Sequence, residues 1–301
     1  MAVDTVSSSE QRGTGLMGML RRSARLRLGL LIFPGLLWLV LFFALPLLVI
    51  VLYSVLTPGP RGGVLFTFTL NNYVELFTQD LYVNAYVRSV WIGVVTTLLC
   101  LLISYPLALY IVQQSPRWRS VLLFLILIPF WTNFLVRTYA WMLILSNNGI
   151  LNSLIQAVGL PRQTLLNTTG AVVVGLIYGE LPFMVLPIYA SLDRFDFTLM
   201  EAAADLGANR TRAFLRVMLP LTMPGVAAGS VLVFVPTVGQ FVVSDLLGGA
   251  KVDMLGNLLQ RLFTRSNPPN WPLGSAMALV FMAVLTIGVV LYFRKTAEAE
   301  A

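Results

Sequence analysis

Residues 195–225 read FDFTLMEAAADLGANRTRAFLRVMLPLTMPG. From Leu199 to Leu206 good helix formers predominate, and Leu199, Ala202, Ala203 and Leu206 recur at the i, i+3, i+4, i+7 spacing that puts them on one helical face. Glu201 and Asp205, four apart, mark another face. Gly207 predicts the helix end, because glycine adopts left-handed backbone there without a steric penalty. A second helical stretch is expected from Asn209, carrying Arg210, Arg212 and Arg216 towards Pro220. The segment therefore reads as helix, sharp turn, helix, with small alanines that let another protein approach closely.

Apolar runs on either side place this loop. A helix needs about 20 apolar residues to cross roughly 30 Å of hydrocarbon, and six stretches qualify: Leu30–Tyr53, Val90–Val112, Val121–Leu145, Ala171–Leu192, Pro224–Leu247 and Leu273–Phe293. The expected fold is an all-α polytopic membrane protein of six transmembrane helices, with a tail at 1–28, the transmembrane domain at 29–295, the loop at 193–223 and a second tail at 296–301. Composition agrees: 57% of residues are hydrophobic and 11% charged, where a soluble domain runs near a quarter charged. The net charge of +7 does not point to nucleic acid, because the basic residues cluster at the ends of apolar runs. The first run is too long for a signal-peptide core and is expected to remain in the mature protein.

Charge sets the orientation. Arg12, Arg21, Arg22, Arg25 and Arg27 precede the first span, so the N-terminus is expected inside, as is the C-terminus after six crossings. Arg117, Arg119, Arg194, Arg210, Arg212, Arg216, Arg294 and Lys295 then also fall inside. Arg61, Arg162, Lys251, Arg261 and Arg265 fall outside. Prolines within the spans (Pro34, Pro46, Pro106, Pro129, Pro182, Pro187 and Pro236) predict kinks, which membranes tolerate where a neighbour or a wet cavity satisfies the freed carbonyl.

Fixed residues in the quoted loop carry a resemblance. Glu201, Ala202, Ala203, Gly207, Leu219 and Pro220 match the EAA pattern of type I ABC-importer permeases, the MetI-like transmembrane domain; Val217 stands where isoleucine is usual. The resemblance implies a coupling helix that docks on a cytoplasmic ABC ATPase dimer, with Asp205 and Arg210 on the same docking element. It further implies a second homologous permease, a periplasmic solute-binding protein and ATP consumed by the partner ATPase, with no cofactor held by this chain. The segments FTFTLNNYVELF, LIPFWTNFLVRTYAW, LPFMVLPIYASLDRFD, VSDLLGGAK and NPPNWPLGSA resemble the spermidine/putrescine branch of that family, in its B-type subunit. Bacterial inner-membrane location and a polyamine substrate follow from the resemblance; iron, thiamine, phosphonate and sugar remain alternatives.

Ionisable residues at bilayer depth are costly and each needs a reason. A polyamine calls for carboxylates and aromatic faces that attract cations. Asp245, with Phe241 one turn back, reads as a path or outer-gate residue, or as an interfacial carboxylate in water. Glu180, with Tyr178 nearby, reads either as a path residue or as the ion-pair partner of Arg137, and the pair is favoured. Trp131, Asn133 and Phe134 join the candidate path, although the aromatics equally suit an interfacial belt. Asn133 and Arg137, four apart, are expected to share a helical face.

Two rival functions fare worse. A membrane enzyme needs a nucleophile, an acid–base pair or a metal site, and the chain has no histidine and one cysteine, Cys100, inside an apolar run. No phosphate-binding loop appears, so ATP hydrolysis is expected to lie in another subunit. An ion-coupled secondary transporter is kept open by Glu180 and Asp245 but has no use for a cytoplasmic docking helix.

Overall fold

The computed structural model describes residues 24–300. Most of the 1–28 tail, with Arg12, Arg21 and Arg22, lies outside the described residues. The chain divides into two units, Met1–Tyr53 and Ser54–Ala301. The first is carried by helices α1 (Ala24–Leu39) and α2 (Leu45–Ser54), joined by the π-turn Val40–Ala44. Leu31–Ser54 is long and apolar enough to cross a membrane.

The second unit opens with an antiparallel hairpin, β1 (Leu56–Pro58) and β2 (Val64–Phe68), in the register Leu56↔Phe68, Thr57↔Leu65, Pro58↔Val64. Nothing in the hydropathy pattern announces it; Asn72 fastens it, donating to the carbonyls of Ser54 and Leu56 at 2.9 Å each. Helix α3 (Asn71–Thr78) leads into α4 (Asp80–Val112). At 1.5 Å per residue α4 is about 50 Å long, well beyond the expected Val90 start and beyond the hydrocarbon thickness.

Three long helices form the core: α4, α8 (Thr169–Asp193) and α12 (Met223–Gly239). Cys100, Ala108 and Ile111 of α4 pack with Met184, Ile188 and Leu192 of α8 and Val226 and Val233 of α12. Lipid tails are as apolar as leucine, so such packing relies on close backbone approach at small residues. Gly225 shows this: a Cβ there would meet the Pro187 carbonyl oxygen at 2.6 Å and Ser191 Cβ at 2.5 Å. Helix α8 runs unbroken through Pro182 and Pro187.

Two expected spans are corrected. Val121–Leu145 is two helices, α5 (Pro116–Leu127) with a 3-10 turn at Ile128–Trp131, and α6 (Phe134–Leu145), followed by α7 (Ile150–Ala157). The arms Pro116–Trp131 and Phe134–Ala157 meet at 91°. Pro129 removes a backbone donor and crowds the preceding turn. Thr132 is extended, and Asn133 Oδ1 accepts from the Leu135 backbone at 2.8 Å, starting a new helix as an N-cap. Asn133 thus caps the helix that carries Arg137, whose N–H donates to the Asn133 carbonyl one turn back at 3.1 Å.

Likewise Pro224–Leu247 ends early. Helix α12 stops at Gly239, where Gln240 is extended and its Oε1 accepts from the backbone of Phe241 and Val242 at 3.0 and 3.3 Å. A π-turn at Ser244–Gly248 and a 3-10 turn at Gly249–Lys251 precede α13 (Leu255–Gln260), which continues as a π-turn at Arg261–Arg265. The last helix, α14 (Trp271–Glu300), extends through most of the expected 296–301 tail. Among the described residues four helices are long and apolar enough to cross a membrane, or up to six when each bent pair counts as one span.

Candidate functional site

The EAA segment folds into α9 (Thr198–Asp205), a turn at Gly207, and α10 (Arg210–Ala213), prolonged by the π-turn Phe214–Met218 and by α11 (Leu219–Leu221). Each boundary has a cause. Asp196 accepts from the Thr198 backbone N–H at 3.0 Å, which starts α9 and holds the Asp196 carboxyl below the usual carboxylate range. Gly207, at φ +83°, turns the chain while its N–H reaches the Ala204 carbonyl at 2.8 Å. Asn209 Oδ1 caps α10 at the Arg212 N–H, 2.8 Å away. Thr222, fixed by the Tyr105 hydroxyl at 2.8 Å, ends the segment; α12 leaves at 67°.

Helix α9 contains no buried residue. Phe195, Phe197 and Met200 anchor the segment to the core, and Phe214 and Leu219 do the same beyond the turn. Glu201, Ala202, Asp205, Gly207, Arg210 and Pro220 are exposed, and Ala203 is partly covered. Leu206 is 90% exposed at the turn, with Leu199 also outward. The predicted apolar face thus exists and is turned largely away from the chain's own core. The base beneath it is braced: Arg119 meets Asp193 at 2.6 Å and donates to the Val112 carbonyl at 2.5 Å, tying the ends of α4 and α8 to the start of α5. Asp193 and Thr222 carry no periodicity signal that marks them in the sequence.

Within the apolar region, the structure brings together only some of the candidates. Phe134, Arg137 and Tyr178 line one narrow cavity of about 10 Å³ with Trp141, Val243 and Leu247. Tyr178 meets Trp141 edge-on at 5.5 Å, and the Arg137 guanidinium lies over Phe130 and Phe134 at 5.3 and 5.9 Å. Trp131 is 75% exposed, edge-on to Phe124 at 5.2 Å, and remains apart from that cavity.

The expected Arg137–Glu180 ion pair is not formed. Among the described residues, Arg137 Nε and Nη1 and Glu180 Oε2 are buried without hydrogen-bond partners. Helical geometry gives the reason. Gly175, Tyr178 and Gly179 face the Arg137 cavity, and at about 100° per residue Glu180 points to nearly the opposite side of α8. It shares that side with Ile177, whose carbonyl lies 4.0 Å from Cys100 Sγ on α4, and with Met184. Glu180 is 8% exposed, between core helices.

Asp245 and Phe241 lie on the segment that follows the break in α12. The Asp245 N–H donates to the Phe241 carbonyl at 2.8 Å, which sets both side chains one turn apart. Asn257 clamps the same carbonyl at 3.1 Å, and Ser89 accepts from the Leu255 N–H at 2.7 Å. Asp245 Oδ2 stands 3.5 Å from Arg265 Nη2, and Asp253 holds Arg261 through two bonds of 2.8 and 2.5 Å. These acid–arginine pairs, 8 and 20 residues apart in sequence, are invisible to helical spacing.

Comparison with known proteins matches residues 101–295 to the family described as binding-protein-dependent transport system inner membrane component. The chain is 42% identical to the spermidine/putrescine transport system permease protein PotB of Haemophilus influenzae, over 85% of this chain and 90% of that protein. It is 40% identical to PotB of Escherichia coli, over 85% and 93%. Among solved structures, a bacterial ABC transporter involved in import of the acidic polysaccharide alginate superposes with a TM-score of 0.76 at 19% identity, covering 94% of this chain and 98% of that one.

Proposed function

The chain belongs to the family of binding-protein-dependent transport system inner membrane components, and from that premise we propose that it is the polyamine-conducting permease subunit of an ATP-driven importer. It is a multi-pass inner-membrane protein with the fold of ABC-importer permeases. In the proposed assembly it pairs with a second, homologous permease. A periplasmic binding protein delivers putrescine or spermidine, and a separate cytoplasmic ATPase dimer hydrolyses ATP; this chain holds no cofactor.

The observation that carries this reading is α9: a helix with no buried residue, bearing Glu201, Ala202 and Ala203, held out on a capped and braced base. Apart from Met200, α9 packs little of itself on the chain's own core, and so short a helix gains little stability alone, so its place in the fold is explained by a partner that covers it. Closure of the ATPase dimer presses α9, and the continuous path α10–α11 into α12 passes that displacement to the spans. Similarity to two polyamine permeases above one-third identity supports the substrate. Asp245 and Phe241 supply a carboxylate and an aromatic face for an ammonium group.

The test is reconstitution with the companion permease, ATPase and binding protein in vesicles. ATP-dependent uptake of putrescine and spermidine is expected, abolished by Glu201→Lys with the assembly still inserted. Uptake of a different solute class in place of polyamines sinks the substrate assignment. Full transport by Glu201→Lys sinks the coupling assignment.

A further inference from the structure

Two arginines one helical turn apart, Arg261 and Arg265, reach back to two carboxylates, and the pairs differ in kind. Arg261 grips Asp253 through both carboxylate oxygens at 2.8 and 2.5 Å. A two-pronged guanidinium–carboxylate pair fixes geometry as well as charge. Arg265 touches Asp245 through one nitrogen at 3.5 Å, and the two side chains are 55% and 36% exposed. Arg265 is also the last residue of its π-turn, since the backbone is extended from Ser266. Its side chain is therefore mounted on the end of a rigid element and held by a weak, solvent-screened contact.

Asp245 itself is held firmly. Its backbone is tied to the Phe241 carbonyl, Phe241 follows a turn locked by Gln240 Oε1, and Asn257 holds the same carbonyl from α13. Ser244 next to it donates to the Val252 carbonyl at 2.5 Å. The carboxylate is thus a fixed, accessible anion with Phe241 one turn away, and the cation facing it is movable.

We propose that Arg265 is a tethered cation that occupies Asp245 until an ammonium group of the cargo displaces it, making Arg265 a specificity-determining residue for cationic solutes. The proposal rests on the polyamine reading above. An arriving amine replaces one cation by another, so the carboxylate is never left bare. A neutral or anionic solute offers no such exchange and leaves the arginine in place. The neighbouring Arg261–Asp253 pair keeps the segment in register while Arg265 moves.

Binding of radiolabelled spermidine to the assembled transporter, without binding protein, reads the competition directly; ATP-dependent uptake with binding protein runs in parallel. Arg265→Gln is expected to tighten spermidine binding about threefold, the size of competition lost with an exposed ion pair. Asp245→Asn weakens binding, and in that background Arg265→Gln has no further effect. Arg265→Lys keeps the wild-type affinity and guards against a folding artefact, as do melting temperatures for each variant. Unchanged affinity in Arg265→Gln, or a gain that survives Asp245→Asn, overturns the proposal while the polyamine reading stands. A wild-type assembly that hydrolyses ATP but neither binds nor takes up any polyamine overturns both.

Discussion

Gly207 shows how much one residue decides. Its φ of +83° lies in the left-handed region, and a Cβ added there would meet nothing within 4 Å. Any cost of substitution is therefore conformational, on the order of 1–2 kcal/mol for an ordinary L-residue. Gly207→Val is expected to swing Leu206 and α10 out of place, and to lower uptake at least tenfold while the protein still inserts. Gly207→Asn, which tolerates left-handed backbone, keeps most of the activity. Equal uptake by both variants removes the turn from the coupling path. This glycine was legible in the sequence because a helix-stop signal depends on local chemistry alone. Glu180 was not. Its type announced a costly buried carboxylate, but the direction it faces on α8 depends on which helices pack beside it, and no local spacing encodes that.

At the scale of elements, the informative places are joints. Spans one, two, four and six were readable as apolar runs, since a long helix in lipid needs little more than length and hydropathy. Span three is broken where Pro129 acts with the Asn133 cap, and the fifth apolar run stops at Gln240, whose side chain caps the backbone beyond it. Hydropathy is blind to the first break, because Phe134–Leu145 beyond it is also largely apolar; beyond the second, Asp245, Lys251 and the glycines between them already depart from an apolar run. The Arg119–Asp193 brace joins such elements and separates two effects. Asp193→Asn loses only a partly exposed pair, worth under about 1 kcal/mol after solvent screening. Arg119→Ala also frees the Val112 carbonyl at the end of α4. The melting temperature in detergent is expected to fall more for Arg119→Ala than for Asp193→Asn. The reverse order places the brace's value in the ion pair. Close packing makes a stronger demand at Gly225. A valine there collides with Pro187 and Ser191, and overpacking of this kind costs about 1–3 kcal/mol. Gly225→Val is therefore expected to melt several degrees below wild type, and an unchanged melting temperature shows that α8 and α12 can part at no cost.

For the molecule as a whole, the question is how a displacement at α9 reaches the other end. The route is continuous in the backbone: α9, the Gly207 turn, α10 and α11, the Thr222 joint, α12, and the Gln240 break that carries Phe241 and Asp245. Both joints are held by side chains from elsewhere, Thr222 by Tyr105 of α4 and the Phe241 carbonyl by Asn257. Any movement of α12 against α4 and α8 is therefore borne by these two hydrogen-bonded joints. The chain offers a clean probe of the input end. Its one cysteine, Cys100, is fully buried, so a cysteine placed at Leu206, 90% exposed, is the dominant target for a thiol reagent. In membranes containing the chain alone, Leu206→Cys is expected to label rapidly. With the ATPase subunit assembled, labelling falls at least tenfold, and a short bifunctional crosslinker captures that subunit. A cysteine at Leu160, exposed in the loop after α7, labels equally in both preparations. Protection of both positions reports general occlusion by the assembly, and protection of neither leaves α9 without a partner. Protection of Leu206→Cys alone identifies α9 as the surface through which ATP-driven force enters the spans.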